Sequence, residues 1–409
     1  MEGRAGEWRQ EGFMRYMFIY KKENQLPIKS WILEEDYNAD EKMVEQVENL
    51  AKLPFAFQHV ALLPDGHVGY GMPIGGIMAT KNVIVPNAVG VDIGCGVCAV
   101  KTSLTEIDTE ILKKIMGEIR KLIPLGFKRH KEGQDMDWEF AGEGEIPKIC
   151  LQEWSNASKS LGTLGGGNHF IEIQKGDDGH IWIMLHSGSR NLGFTVANFY
   201  NRLAVKLNQK WHSQVPKEWE LAFLLVDSEE GQKYIEEMRY CVEYALANRE
   251  LMMDRILDII REKIGGFGYT WDNMINIAHN YAALENHFGQ NVWVHRKGAT
   301  RAREGQLGII PGSQGTNSYI VRGKGNPDSF ESCSHGAGRK MGRKEAKCNL
   351  NLEEEIKKLK DKNVIHGIRG IRDLDEAPGA YKDINTVIQN QKDLIDVAVI
   401  LYPLAVIKG

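Results

Sequence analysis

Five glycine-rich loops, each carrying a polar side chain, constrain the fold of this chain more than any other feature of its sequence. They are PDGHVGYGMPIGG (64–76), GVDIGCG (90–96), GTLGGGNHF (162–170), LHSGSR (185–190) and SCSHGAGR (332–339). Glycine permits positive φ angles and lets the backbone approach a ligand closely. One such loop is common in proteins. Five loops that each bear His, Cys or Asp predict the walls of a single site.

The segments between these loops predict a mixture of strands and helices. Short β-prone runs are HVALL, GGIMAT, NVIVP, CAVKT, IWIML, NVWVH, GIIP and SYIVRG,. Isoleucine recurs every four residues at 107, 111, 115 and 119, which predicts an amphipathic helix,. Other predicted helices cover 40–53, about 194–213, 230–264, the stretch GRKMGRKEA (338–346) and 352–361,. Because these elements do not alternate as βαβ units, we predict an α+β fold, with mixed β-sheets surrounded by helices.

Composition excludes several classes of protein. Hydrophobic residues make up 42% and charged residues 26% of the 409 residues, as in globular proteins, and no cut point is evident, so one large domain is predicted,. The net charge of -4 argues against a surface coated with nucleic acid but allows a local basic groove,. No apolar run approaches the ~20 residues that cross a bilayer, and the N-terminus has no uninterrupted apolar core. The six cysteines are too sparse for a disulfide scaffold,. A cytoplasmic, reducing location is therefore expected.

Several side chains in and near the loops suit a metal site. They are Asp92, Cys95, His169, His186 and His279, of which His186 is predicted to end a strand and His279 to lie on a helix. A thiolate, a carboxylate and imidazoles favour Zn, Mn, Fe or Co over Mg or Ca. A structural role for each residue remains the alternative. Cys95 and Cys98 form a single C-x-x-C, so a zinc ribbon is excluded, and Cys98 is predicted to be a packed strand residue rather than a redox partner.

Motifs for common nucleotide sites are absent from the sequence. There is no P-loop, no Rossmann fingerprint after a strand, no H-E-x-x-H and no K-x-D-G box of ATP-dependent ligases,. A covalent nucleotidyl carrier would need another nucleophile, and His335, between small residues and followed by Arg339, is the candidate. The alternative is a histidine in a surface turn. Basic residues cluster at 296–303, 339–344 and 369–372, either as phosphate contacts or as solvated surface,.

Eight motifs in order carry a resemblance to a known family. They are PDGHVGYGMPIGG, GVDIGCG, GTLGGGNHFIEI, LHSGSR, AHNYA, IIPGSQG, SCSHGAGR and AYKD. With them the chain resembles the RtcB family of tRNA-splicing RNA ligases from about Phe55 to the terminal Lys408-Gly409. The resemblance implies an RtcB-like catalytic domain over 27–409 with a central metal and nucleotide cleft. Residues 1–26 match nothing in that family and form an unassigned N-terminal extension.

The resemblance also implies an activity and its residues. Such ligases use GTP and two Mn²⁺ ions to join an RNA 3′-phosphate or 2′,3′-cyclic phosphate to a 5′-hydroxyl. The implied metal ligands are Asp92, Cys95, His169, His186 and His279, with the Cys95 thiolate bridging the two ions. The implied nucleophile is His335, which forms a histidine–guanylate. The implied guanylate pocket is formed by Asn168, Glu172, Ser313, Ala337, Gly338, Tyr381 and Lys408.

Other expectations accompany this interpretation. The protein is expected to be a monomer that acts on broken RNA away from membranes, and the need for an archease-like activating partner is left open. Cys98 departs from the residues common at its position and raises the question of oxidation near the metals. Two alternatives remain open, namely a metal-dependent phosphodiesterase or phosphatase and a non-catalytic subunit of an RNA-repair complex.

Overall fold

A computed structural model describes residues 16–135, 146–269 and 274–409, where strands and helices are mixed along the chain. Its strands are β1 (Phe18–Tyr20), β2 (Ile28–Ser30), β3 (Ala56–His67), β4 (Ile74–Thr80), β5 (Val83–Ile84), β6 (Gly96–Lys101), β7 (Phe170–Gly176), β8 (Ile181–Ser187), β9 (Leu224–Leu225), β10 (Ile275–Ala278), β11 (Asn280–His287), β12 (Gln290–Lys297), β13 (Ala299–Arg301), β14 (Leu307–Ile310), β15 (Ser318–Gly323), β16 (Ser332–Ser334) and β17 (Ile395–Lys408).

The α-helices surround these strands. They are α1 (Glu34–Ala39), α2 (Glu41–Ala51), α3 (Pro86–Val89), α4 (Thr109–Leu122), α5 (Lys148–Ser160), α6 (Arg190–Lys210), α7 (Glu229–Ile264), α8 (Arg343–Asn349), α9 (Leu352–Asp361) and α10 (Ile384–Gln389). Short 3₁₀ turns cover Lys217–Trp219, Pro327–Ser329, Ile371–Glu376 and Pro378–Ala380. Within the described residues, no helix is both long enough and apolar enough to cross a bilayer.

Two large sheets form the framework. The first has the order β1-β2-β3-β4-β12-β11, and the second has the order β10-β6-β8-β7-β17-β15-β14. Two further pairs, β13-β16 and β5-β9, are separate ribbons. All pairings within the two large sheets are antiparallel except β2 with β3. Antiparallel sheets flanked by helices define an α+β fold, so this prediction is confirmed.

Most predicted elements are present close to their predicted bounds. Three of the four isoleucines of the stripe, at 111, 115 and 119, lie on α4, and Ile107 precedes it. The helix buries Leu112, Ile115, Met116 and Ile119, and the Asp108 side chain accepts hydrogen bonds from the amides of Glu110 and Ile111,. α7 begins after Ser228, whose hydroxyl accepts the Gly231 amide, and ends at Gly265 with φ of 99°. Gly265 therefore acts as the predicted helix stop.

Two predictions about local structure are wrong. His279 lies between β10 and β11, not on a helix, because residues 275–287 alternate between the faces of a strand,. The stretch GRKMGRKEA is helical only from Arg343 onward. Gly338 has φ of 72°, and Arg339 forms a β-bridge with Tyr381, so the chain before Arg343 cannot continue a helix,.

The long helix α7 packs across the second sheet. Its residues Met252, Met253, Ile256 and Leu257 are fully buried in one core cluster with side chains of β6, β7, β8 and β17. Burying each such side chain contributes about 1.5–3 kcal/mol. This packing fixes the helix against the ends of three glycine-rich loops.

The predicted N-terminal extension is only partly described. Residues 1–15 lie outside the described residues. The remainder includes β1, which pairs with β2 at the edge of the first sheet. The boundary at residue 27 stays a prediction.

Candidate active site

The glycine-rich loops converge on one cleft, as predicted. The cleft has a volume of about 250 Å³ and lies between the two large sheets. Each of the five loops contributes a lining residue, respectively His67, Cys95, Asn168, His186 and His335. Of the predicted site residues, all but His169 line it directly, and His169 is buried beside Cys95. The remaining lining residues among those predicted are Asp92, Glu172, His279, Ser313, Ala337, Gly338, Tyr381 and Lys408.

The turn after α3 places the Cys95 thiol in the cleft. The Cys95 amide donates to the Asp92 carbonyl at 3.1 Å, and the Gly94 amide donates to the Asn280 carbonyl at 2.8 Å. Gly94 has φ of 74°, and a Cβ there would lie 2.8 Å from the Cα of Val242 on α7. Only glycine permits this close approach of the turn to the helix.

The predicted metal ligands form two groups that share one residue. The donor atoms of Cys95, His186 and His279 lie within 4.8 Å of one another, as do those of Asp92, Cys95 and His169. The Cys95 sulfur lies 3.4 Å from His169 Nε2 and 3.3 Å from His186 Nε2. His169 Nε2 lies 3.2 Å from Asp92 Oδ2. Thiol, imidazole and carboxylate donors are the ligands that transition-metal ions prefer, so these groups could hold a metal ion,.

The protonation states of these groups suit metal binding. Burial, together with the neighbouring His279 and His169, holds the pKa of His186 well below its usual value. Burial and the neighbouring His335 and Arg249 also hold the pKa of His279 well below its usual value. Both imidazoles are therefore neutral at pH 7, as metal ligands must be. The buried Nδ1 of His279 has no hydrogen-bond partner among the described residues, which is consistent with a free donor atom.

The thiol of Cys95 needs compensating positive charge before it can ionise. Burial, followed by the charge of Asp92, raises the pKa of Cys95 well above its usual value. Arg249, fully buried on α7, opposes this shift and donates to the carbonyls of Gly94 at 3.0 Å and Ser187 at 2.9 Å. A bound cation would supply the remaining charge, because coordinating thiols lose their proton.

Neighbouring residues orient the candidate metal ligands. The N–H at Nδ1 of His169 donates a hydrogen bond to the Leu164 carbonyl at 2.8 Å. The lone pair of the ring is therefore at Nε2, the nitrogen that faces Cys95 and could bind a metal ion,. Asn248 on α7 accepts the Gly162 amide at 2.7 Å and donates to the Gly188 carbonyl at 3.2 Å. Asn248 and Arg249 thus join three loops to one helix. Sequence reasoning missed both, because a polar pair inside a 36-residue helix carries no local signal of function.

His335 is held by a carboxylate that the sequence analysis did not single out. Asp65 Oδ2 lies 2.6 Å from His335 Nδ1 and accepts the amides of His335 at 3.0 Å and Gly336 at 3.2 Å. Burial alone would raise the pKa of the Asp65 carboxyl, but the charge and hydrogen bond of His335 more than offset it and the net pKa is lowered. An ionised Asp65 keeps the proton on Nδ1, so Nε2 carries the lone pair.

Close packing fixes the two loops that meet here. A Cβ on Gly338 would lie 2.3 Å from the Asp65 carbonyl oxygen. The His335 ring centroid is 4.7 Å from that of His279. The candidate nucleophile therefore lies directly beside a candidate metal ligand.

A buried carboxylate also organises the cations of the cleft. Glu376 lies 3.2 Å from Arg339, 3.3 Å from Arg343 and 3.3 Å from Lys408, and it accepts a hydrogen bond from the Tyr381 hydroxyl. Burial would raise the pKa of Glu376, but Lys408, Tyr381 and the arginines lower it overall, so the group is ionised. All four partners line the cleft. Sequence reasoning missed Glu376 because nothing marks it as buried.

Other predicted features have mixed outcomes. Cys98 is fully buried in β6 within a core cluster, as predicted, and burial raises its pKa to about 12. Arg296 and Lys297 are buried against other protein groups, so both interpretations, phosphate contact and solvated surface, are wrong for them. Arg296 is buried against Glu285 at 2.6 Å, and Lys297 donates to the carbonyls of Tyr70 at 2.5 Å and Asn87 at 3.0 Å.

The fold and cleft together define a class of protein, an α+β protein with a candidate metal site beside an anchored histidine. The family model described as tRNA-splicing ligase RtcB matches residues 46–409. The RNA-splicing ligase RtcB of Escherichia coli strain K12 is 39% identical over 94% of this chain and 97% of its own length. The tRNA-splicing ligases RtcB of Nanoarchaeum equitans and Thermococcus kodakarensis are 32% and 31% identical, over 97% and 90% of this chain and 98% and 91% of their own lengths.

The chain belongs to the RtcB family. Both the match of the family model and the identity with these relatives extend over most of its length. The resemblance noted from the eight motifs is confirmed.

Proposed function

We propose that this protein is an RNA ligase that uses GTP and Mn²⁺ to join an RNA 3′-phosphate or 2′,3′-cyclic phosphate to a 5′-hydroxyl, in tRNA splicing or RNA repair. One observation carries the proposal. An imidazole anchored by a buried carboxylate, His335 on Asp65, lines the same cleft as two donor groups that share Cys95. The relatives are named RNA-splicing and tRNA-splicing ligases, which agrees with this chemistry.

The first step would use the free nitrogen of His335. Nε2 attacks the α-phosphorus of GTP, a P–N bond forms, the P–O bond to the β-phosphate breaks, and pyrophosphate leaves. Asp65 retains the proton on Nδ1 and stabilises the positive charge that develops on the ring. The product is a histidine–guanylate.

The later steps follow from the available RNA ends. Water first opens a cyclic end to a 3′-phosphate, as the P–O2′ bond breaks and the 2′-oxygen takes a proton. An oxygen of the 3′-phosphate then attacks the phosphorus of the histidine–guanylate, the P–N bond breaks, and the imidazole of His335 is free again. The 5′-hydroxyl attacks this activated end and releases GMP. A 5′-hydroxyl carries no phosphate to activate, so activation must fall on the 3′ end.

Side chains around His335 would hold the charged groups. Asp92, Cys95, His169, His186 and His279 would hold two Mn²⁺ ions, which supply positive charge against the phosphate oxygens. Arg339, Arg343 and Lys408 face the same cleft and would contact phosphates,.

The remaining predicted residues would form the guanylate pocket. Burial raises the pKa of Glu172 to about 8, and the buried carboxyl is suited to accept N–H groups of guanine once ionised,. Asn168, Ser313, Ala337, Gly338 and Tyr381 line the cleft around it. We also propose, from the family resemblance, a monomer assisted by an archease-like partner.

A labelling experiment tests the proposal. The protein is incubated with α-labelled GTP and Mn²⁺ without RNA. We expect acid-labile label on the protein, lost in His335→Ala and retained in His212→Asn, a control at an exposed histidine. An unlabelled protein that hydrolyses phosphodiesters would favour the phosphodiesterase or phosphatase. An unlabelled protein that only binds RNA would favour the non-catalytic subunit.

A further inference from the structure

The side chain of Phe127 is unusually exposed for an aromatic residue. Its relative exposure is 102%, and no other large hydrophobic side chain among the described residues is as exposed. It lies in the connection between α4 and α5, next to Gly126 with φ of 62°. Phenylalanine is usually buried, and a ring held fully in solvent leaves an aromatic face open to a ligand.

Main-chain bonds attach this connection to the rim of the cleft. The Gly126 amide donates to the Gly165 carbonyl at 2.8 Å, and the Leu164 amide donates to the Pro124 carbonyl at 3.0 Å. Arg190 donates to the Gly126 carbonyl at 3.3 Å. Residues 162–170 form the loop that also carries Asn168 and His169. The position of Phe127 is therefore fixed relative to the candidate site.

Exposed cations follow the ring in the sequence. Residues 124–131 read PLGFKRHK and contain no carboxylate, although the protein as a whole has a net charge of -4. Lys128, Arg129 and Lys131 are exposed, and none of them forms an ion pair with a residue that the structure describes. Arg343, half-exposed, lies against Gly167 of the neighbouring loop and lines the cleft. Positive charge thus extends from the ring, through the unpaired Lys128, Arg129 and Lys131, to Arg343, which pairs with Glu376 at the cleft.

We propose that Phe127 is a stacking platform for a nucleobase of the single-stranded RNA beside the ligation junction, with Lys128, Arg129 and Lys131 contacting its phosphates. The inference rests on the proposed function, which brings RNA ends into this cleft. Single-stranded nucleic acids bind where an aromatic face adjoins cations that follow the backbone. A protein partner would favour a contiguous apolar patch, but Phe127 is flanked in sequence by glycine and cations,.

A binding experiment tests the platform. An RNA oligonucleotide with a 3′-phosphate and 2-aminopurine near that end is titrated onto the protein without GTP. Stacking quenches the fluorescence of 2-aminopurine, and anisotropy gives the affinity. We expect Phe127→Ala to remove the quenching and to weaken binding about five- to hundredfold, the effect of losing one stacked base. Phe127→Trp should retain both signals.

Controls separate this inference from the proposed function. Phe199→Ala removes another exposed phenylalanine, on α6, and should leave RNA binding unchanged. Melting temperatures identify any variant that fails to fold. If the unsubstituted protein acquires no label from GTP, the proposed function fails. If it is labelled but Phe127→Ala binds and quenches the oligonucleotide as the unsubstituted protein does, the stacking platform is refuted.

Discussion

The contact between Asp65 and His335 gives the sharpest test of the site, through the isosteric substitution Asp65→Asn. Asp65 Oδ2 accepts three hydrogen bonds, whereas the buried Oδ1 has no partner among the described residues. An asparagine can therefore place its oxygen at Oδ2 and its amide group at Oδ1. The substitution removes the negative charge and keeps the geometry.

The size of the expected rate defect follows from the three hydrogen bonds that Asp65 Oδ2 accepts. Hydrogen bonds to a charged group are worth about 1.5–3 kcal/mol, against about 0.5–1.5 kcal/mol for neutral ones. Three bonds therefore lose about 3–4 kcal/mol together, or a few hundredfold in rate if the loss is expressed in the transition state. We expect single-turnover guanylylation to slow by about that factor, with little change in the apparent affinity for GTP.

The pH dependence of the rate defect in Asp65→Asn gives a second test of the same contact. The pKa of Asp65 is lower in the folded protein than in the unfolded chain. The stabilising contribution of the ionised carboxylate is therefore fully present above the unfolded pKa, and it is lost only as the pH falls through the folded pKa. Both values lie in the acid range, and the defect should therefore be constant from pH 6 to pH 8.

Asp393→Asn is the matched control, because Asp393 accepts a hydrogen bond from Trp31 at 3.0 Å, away from His335. Guanylylation by Asp65→Asn within about threefold of the unsubstituted rate, with an unchanged melting temperature, would refute the role of the carboxylate.

Three other changes probe the rest of the cleft. Cys95→Ser replaces the thiol that is common to both donor groups. We expect the affinity for Mn²⁺, measured by equilibrium dialysis, to fall at least about tenfold. Retention of two tightly bound ions would contradict the shared thiolate. Because burial raises the pKa of Glu172 to about 8, its ionised fraction rises about fivefold from pH 7 to pH 8. The affinity for GTP, measured by calorimetry, should therefore increase between pH 7 and pH 8. If the affinity of Glu172→Gln increases equally over this range, the Glu172 carboxyl is not the cause. Glu376→Gln should raise the KM for GTP about tenfold, because three cations lose their common partner,. Glu355→Gln, at a buried carboxylate that binds Lys358 and the Gly379 amide, should leave KM unchanged, and equal effects in both variants would indicate a merely structural role.

The local structure and the candidate donors were accessible from the sequence. Periodicity located α4 and α7, and apolar runs located β8 and β12, because side-chain alternation is a local property of helices and strands,. Glycine-rich loops with His, Cys and Asp indicated which side chains would share a site. Two elements were misplaced, at His279 and before Arg343. The pairing of β10 with β6 and of β11 with β12 outweighs helical propensity at the first, and the positive φ of Gly338 does so at the second,.

Only the tertiary structure decided which distant residues support that site. Asp65 and His335 are 270 residues apart, and no periodic pattern relates two positions so far separated. Arg249, Glu376 and Phe127 likewise have ordinary sequence neighbours. The packing of α7, α8 and the loops against the two sheets buries Arg249 near the Cys95 thiol and Glu376 among cations. The same packing leaves Phe127 in solvent. The sequence therefore determined the available chemical groups, and folding determined their partners, because burial and proximity arise only when remote segments pack together.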